Sequence, residues 1–373
     1  MPEPRANIGA LQAQIRAAGL DVAVAVSGAN FTYVTDTLIL SHEIIPERLC
    51  MVIVPCEGDP LSLVCFPEAR QTIQDTWISD IRTYVEFKED PILVLAELLA
   101  ELGFGGGRIG IESRFLAVAY EQRLARALPS ATLLPADGAF DRARAVKTPA
   151  EIDILRAAAR DTVTAIHDAF SAARLGDTEK QVADDVTARL LKAGATSRWI
   201  VLAAGANSVI NHPYPNSKQL TEGETLRVDV GGVFDGYQSD VARTAVVGRA
   251  TDEQQSLYQR LREIERETIA AARPGVRACD LYAVCRKAYE KRGLELAGAV
   301  VGHSIGVTLH EHPVLRAEDD TELKPGMLFN VEPAIIDSQG FLYHIEDLLL
   351  VTEGEPEIVT TNMDTEKLFV ISV

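Results

Sequence analysis

Residues Leu226–Val247, LRVDVGGVFDGYQSDVARTAVV, carry the pattern from which the second half of this 373-residue chain can be read. Leu226, Val228 and Val230 alternate with Arg227 and Asp229, the pattern of a half-buried strand. Asp235-Gly236 is a two-residue hairpin signal of the type I′ kind. Pairing Phe234 with Tyr237 sets Gly231 opposite Asp240 and Asp229 opposite Ala242. Asp229 and Asp240 then share a face as diagonal neighbours, roughly 7–8 Å apart at the backbone. Two carboxylates so placed can reach one cation or a pair. Alternatively, one is a surface residue and the other a strand-end cap.

Downstream, three of the seven histidines fall within the run Gly302-His303-Ser304-Ile305-Gly306-Val307-Thr308-Leu309-His310-Glu311-His312. His303, between glycines in a run with few charges, is the best ligand candidate among them. His42 and His167 read as structural or surface residues, and His312, before Pro313, as a loop residue. Beyond lie Phe329-Asn330-Val331-Glu332-Pro333 and Tyr343-His344-Ile345-Glu346-Asp347, two apolar strand-like runs joined by the turn Asp337-Ser338-Gln339-Gly340. A carboxylate in such a run is costly unless paired or bound to metal. Two Asp, one His and two Glu form a hard-oxygen set with one imidazole. It suits Mn²⁺, Co²⁺, Fe²⁺ or Zn²⁺ rather than copper or an iron–sulfur cluster. Two metals held by bridging carboxylates would supply a bound hydroxide and polarise a carbonyl.

Composition sets the frame. The chain is 47% apolar and 24% charged, which excludes wholesale disorder, and its 373 residues predict two domains. With 36 basic and 54 acidic residues its net charge is −18, which argues against nucleic acid or an anionic membrane as partner. No apolar run approaches the ~18–20 residues of a membrane span, and the first twenty residues lack a secretory pattern. Five cysteines, Cys50, Cys56, Cys65, Cys279 and Cys285, are an odd number without a CxxC pair, predicting reduced thiols in a cytoplasmic protein.

Residues 1–142 alternate helix and strand signals. A helix is predicted over 6–19, strands over 21–26, 30–33, 49–54 and 108–112, and helices over 91–102 and 114–128. Gly105-Gly106-Gly107 is a loop without the Gly-Lys-Ser/Thr of a phosphate-binding site. From Thr148 the texture changes. Thr148, Pro149 and Glu151 form a capping box with proline at the first helical position, opening a helix to about Ala173. Further helices are expected near 178–193, 252–273 and 278–292, with a strand-rich C-terminus and no internal sequence repeat. The boundary falls at 142–147, dividing 1–142 from 143–373.

Taken together, DVGGVFDGYQSD, GHSIGVTLHE, NVEP and IED resemble, in order and spacing, the pita-bread metallopeptidases: methionine aminopeptidases, Xaa-Pro aminopeptidases, prolidases and creatinase. The resemblance spans the chain. It implies an α/β N-terminal domain of the creatinase/prolidase kind and an α+β pita-bread catalytic domain. It implies two divalent ions, Mn²⁺ first and Co²⁺, Zn²⁺ or Fe²⁺ as alternatives, bound by Asp229, Asp240, His303, Glu332 and Glu346. In the family pattern Asp240 and Glu346 bridge the ions, Asp229 binds one, and His303 with Glu332 the other. Glu332 also takes a proton from water, His310 contacts substrate and stabilises the tetrahedral intermediate, and His212 lines the pocket. Three positions depart from the pattern: His344 replaces an arginine and becomes a candidate substrate contact, Ala299 replaces a histidine, and Ser304 a glycine. The resemblance implies a homodimeric hydrolase cleaving before proline, an Xaa-Pro dipeptidase first. The alternatives are an Xaa-Pro aminopeptidase, a hydrolase or lyase of a small non-peptide such as ectoine, and a non-catalytic binding module. Four of the acids would then be ligands, and two divalent ions would bring −18 to −14.

Overall fold

A computed structural model describes residues 3–45 and 47–373. The chain divides into two compact units, the first ending at Arg144 and the second beginning at Ala145.

The first unit is a six-stranded mixed sheet. Its strands run, in spatial order, Asp80–Tyr84, Leu61–Cys65, Met51–Pro55, Val22–Ala25, Arg108–Ile111 and Thr132–Pro135. Val22–Ala25 lies in its middle, buried throughout, antiparallel to Met51–Pro55 and parallel to Arg108–Ile111. Helix Pro91–Glu101 packs Ile92, Leu95 and Leu99 into the core. Two expectations need correction. Residues 30–33 are not a strand but part of helix Gly28–Thr35. Ser27 caps it, its Oγ accepting from the Asn30 N–H at 3.1 Å, and buried Glu112 accepts from the Ser27 N–H, the Ser27 hydroxyl and the Asn30 side-chain amide. These polar partners hold the first turn and override the β-favouring Phe-Thr-Tyr sequence. The helix expected from 114 begins only at Val118, because the Asp137 carboxylate takes the Ser113 and Arg114 N–H groups.

The second unit is built twice on one plan. A threonine-capped helix, Pro149–Ala172, and a second helix, Glu179–Ala193, cover the sheet Phe369–Ile371, Val241–Val247, Thr225–Phe234, Ser197–Ala204. Another threonine-capped helix, Asp252–Ala270, and its follower, Ala278–Lys291, cover the sheet Glu311–Arg316, Val300–Ser304, Leu328–Val331, Asp347–Leu350, Glu357–Ile358. Six residues before Asp229 stands Gly223, and six before Glu332 stands Gly326, both at φ 88°. Their N–H groups bond Val247 and Val351 carbonyls at 2.8 and 2.9 Å. Little but this offset survives in the sequence, so the duplication is structural. His312, read as a loop residue, lies instead on strand Glu311–Arg316, exposed, where alternation along the strand turns it outward.

Both hairpins hold fixed registers. Phe234 pairs with Tyr237 and Asp229 with Ala242, continuing through Val230 and Val241. In the second, Val331 pairs with Asp347 and Ala334 with His344, a register that sets Glu332 opposite Glu346 between them. Two glycines allow the backbones to close. A Cβ on Gly231 would stand 1.7 Å from the Ser239 carbonyl oxygen, and one on Gly302 2.0 Å from that of Asn330. Gly231→Ala and Gly302→Ala are each expected to destabilise the second unit by about 1–3 kcal/mol through forced backbone shifts. Denaturant unfolding of the metal-free protein checks this.

Candidate metal centre

The duplicated plan delivers two carboxylates from each half to one place. Asp229 lies within its strand, Asp240 immediately precedes Val241–Val247, Glu332 follows Leu328–Val331 and Glu346 precedes Asp347–Leu350. His303 enters from Val300–Ser304, whose Val301 carbonyl accepts the Glu332 N–H at 3.0 Å. The two halves are joined here by the Glu346 N–H, which donates to the Ala242 carbonyl at 3.1 Å.

The side chains converge. His303 Nε2 lies 3.5 Å from Asp240 Oδ2 and 3.8 Å from Glu332 Oε1. Its Nδ1 is held by the Ser304 carbonyl at 3.1 Å, which turns Nε2 toward the acids. Asp240, His303 and Glu346 present ligand atoms within 4.8 Å of one another, and so do Glu332, His344 and Glu346. Asp229 Oδ2 is 3.8 Å from His344 Nδ1. The structure therefore brings together all five predicted ligands and His344.

His310 stacks on His303 with ring centroids 4.0 Å apart, on the solvent side. His212 is exposed in the segment after Gly205–Val209. A cavity of about 600 Å³ is lined by Trp199, Val201, His212 and Tyr214, among others, but by none of the four carboxylates. Val201 is the cross-strand partner of Asp229, so this cavity opens along the edge of the same sheet.

Electrostatics makes the arrangement costly without cations. Burial pushes Asp229 up to about 6, and burial together with the charge of Asp229 pushes Glu332 up to about 8. Burial together with neighbouring carboxylates drives Asp240 and Glu346 well above the usual range. Burial lowers His303 to about 4 and His344 to about 3, leaving both neutral with lone pairs to donate. Asp240 Oδ1 is buried without a hydrogen-bond partner. Crowded oxygens, neutral imidazoles and an unsatisfied buried carboxylate oxygen are the donor set a divalent metal requires.

Several supporting residues were not singled out from sequence. Arg243, 1% exposed, donates to the Glu346 carbonyl at 2.6 Å, the Ala242 carbonyl at 2.9 Å and Asp347 Oδ1 at 2.7 Å. Asp347 also accepts from Arg262 and Thr360. Asn330 donates to Glu346 Oε1 at 2.6 Å. Arg227 donates to the Ser208 and Asn211 carbonyls, tying down the segment that leads into His212. The available signal was adjacency: Arg243 three residues beyond Asp240, Asp347 next to Glu346, Asn330 two before Glu332.

The comparisons with known proteins agree with this geometry. The model of metallopeptidase family M24 matches residues 153–353, more than half of the chain. The chain belongs to metallopeptidase family M24. The creatinase/prolidase N-terminal domain matches residues 8–146. An Xaa-Pro dipeptidase of Lactobacillus helveticus is 29% identical over 352 residues, covering 93% of this chain and 94% of the relative. The structure of an Xaa-Pro dipeptidase from Bacillus anthracis superposes with TM-score 0.85 at 25% identity, covering 97% of this chain and 98% of that one. An X-Pro aminopeptidase from Thermotoga maritima shares the fold, with TM-score 0.85 at 23% identity over 98% and 99% of the two chains. The M24 chain is thus a two-domain metallopeptidase of the creatinase/prolidase branch, and its family implies divalent ions. Among its described residues no helix is long and apolar enough to cross a membrane.

The protonation pattern predicts an opposite pH response with and without metal. Glu332, raised from 4.5 to about 8 on folding, contributes stability that is full below its unfolded pKa and is lost as pH rises through 8. The histidines, lowered on folding, cost stability only below about 6.5. Between pH 6.5 and 8 the metal-free protein is expected to lose stability, while the stabilisation gained on adding Mn²⁺ grows because fewer protons must leave. Melting temperatures at several pH values, with and without metal, check both signs.

Proposed function

We propose that this M24 chain is a dimetal hydrolase cleaving the bond before proline, with Xaa-Pro dipeptides as substrate. The observation that carries the reading is the meeting of two carboxylates from each half with the His303 imidazole in one buried cluster. The names of the dipeptidase relatives, matched over nearly the full length of both chains, support the substrate.

Asp229, Asp240, His303, Glu332 and Glu346 would hold two divalent ions, Mn²⁺ first. When bound, such ions supply Lewis acidity toward the scissile carbonyl and water that ionises near neutral pH. The chain's own residues do the rest. Glu332, at 25% side-chain exposure, is the most accessible of the carboxylates; Asp229 and Asp240 are 18% and 4% exposed. It is placed to take the proton of the attacking water and pass it to the leaving nitrogen. His310 and His212, on the open side, donate hydrogen bonds to the developing oxyanion and orient the substrate. His344 faces the same cluster from the opposite flank of Glu332. The reading includes a homodimer in a reducing cytoplasm, the latter supported by five free cysteines.

Protein loaded with Mn²⁺ should release proline from Xaa-Pro dipeptides. Asp240→Asn should take the activity below detection while leaving the fold intact. Activity that survives thorough metal removal would overturn the mechanism. Faster turnover of Xaa-Pro-Yaa than of Xaa-Pro would assign the chain to the aminopeptidases, and turnover of ectoine alone would replace the substrate class.

A further inference from the structure

We propose that His344 is a sixth protein ligand of the metal pair, giving the second ion an imidazole of its own. The inference rests on the dimetal reading above and adds a ligand where the family pattern carries arginine.

Three observations carry it. The first is position. His344 Nε2 lies 3.8 Å from Glu332 Oε2, and His303 Nε2 lies 3.8 Å from Glu332 Oε1. One carboxylate is thus flanked by two imidazoles, one on each oxygen. The His344 ring reaches Asp229 on the same side, with Nδ1 3.8 Å from Oδ2. The triads Asp240–His303–Glu346 and Glu332–His344–Glu346 each gather their ligand atoms within 4.8 Å and share only Glu346. Ligands about 2.0–2.2 Å from one ion stand some 3–4 Å from each other, the range seen here.

The second is orientation. A metal-binding imidazole commonly bonds a carbonyl or carboxylate through one nitrogen and presents the other to the ion. His303 does so with the Ser304 carbonyl, and the His344 ring lies between two carboxylates, Nδ1 facing Asp229 and Nε2 facing Glu332. The backbone under His344 is clamped as well. Its N–H donates to Thr244 Oγ1 at 2.9 Å and its carbonyl accepts from the same hydroxyl at 2.9 Å. Thr244 belongs to strand Val241–Val247, the strand that Asp240 precedes, so the ring is fixed relative to the other half's ligands.

The third is charge. The four carboxylates balance two divalent ions. An arginine at 344 would add a fixed positive charge beside them and no lone pair, whereas histidine offers a donor and no net charge. Each ion then gains one nitrogen, His303 for one and His344 for the other. A second nitrogen donor narrows the site's preference for Mn²⁺ over Co²⁺, Fe²⁺ or Zn²⁺.

Metal binding tests this without reference to turnover. The stripped full-length protein is titrated with Co²⁺ by calorimetry, with the visible absorption of the bound ion recorded in parallel. The wild type is expected to take two equivalents. His344→Gln and His344→Arg are expected to keep the first and to weaken the second by at least about tenfold, with a changed absorption band for that equivalent. The arginine variant carries the residue of the family pattern, so it serves as a folded comparison if the glutamine variant does not fold. Two equivalents with wild-type affinity and spectrum in a folded variant would overturn the assignment of His344 alone. Fewer than two equivalents in the wild type would overturn the dimetal reading beneath it.

Discussion

Four carboxylates share one buried space, and their mutual repulsion is the constraint the second unit is built around. Unpaired charges in a low-dielectric interior repel strongly, so such a cluster persists only if it binds protons or cations. The surrounding structure relieves this only weakly through basic side chains, by one long ion pair from Arg227 to Asp229. Arg243 is turned away, its guanidinium spent on backbone carbonyls and Asp347. Arg227 stands 3.8 Å from Asp229 while bonding two carbonyls of the segment before His212. The basic residues fix the frame and leave the acids to a different partner.

That frame is assembled from two similar halves, and each hairpin fulfils the same task by a different local route. The first brings its aspartates together through a tight Asp235-Gly236 turn and the close approach at Gly231. The second needs a longer turn around Gly340 and a break in pairing that leaves Glu332 and Glu346 facing each other. Between them the Arg243–Asp347–Arg262 network, almost wholly excluded from water, locks strand Val241–Val247 to Asp347–Leu350. The halves therefore meet through hydrogen-bonded charges directly behind the acids, where a shift of a few tenths of an ångström would be felt at every ligand position.

Much of this was legible in the residues. The Asp235-Gly236 signal fixed one register and hence which aspartates share a face, because a two-residue loop leaves no freedom in pairing. The two glutamates stood out because ionisable groups in apolar runs demand an explanation. Helix Gly28–Thr35 was not legible: its strand-like side chains are overruled by Glu112, more than eighty residues away. The duplication is not legible in the residues, because packing preserves a plan while sequence retains only Gly223 and Gly326 at equal offsets. Nor could sequence place His344 on the second oxygen of Glu332. Strand alternation gives it the face of Glu346, but the diagonal closeness to Glu332 depends on a register set around the break in the ladder.

The seam between the halves has a further consequence. Beside the Arg243 network, the Thr244–His344 clamp and the packing between the halves, the ions would join Asp229 and Asp240 to Glu332 and Glu346, residues roughly 100 apart in the chain. A metal pair in that position works as a reversible cross-link, closing a long loop much as a disulfide would and restricting the unfolded chain through the same entropy. On this account, ion occupancy would contribute to how often the two halves part as well as to whether chemistry can occur. The supply of the ion would then bear on the stability of the second unit as well as on its activity.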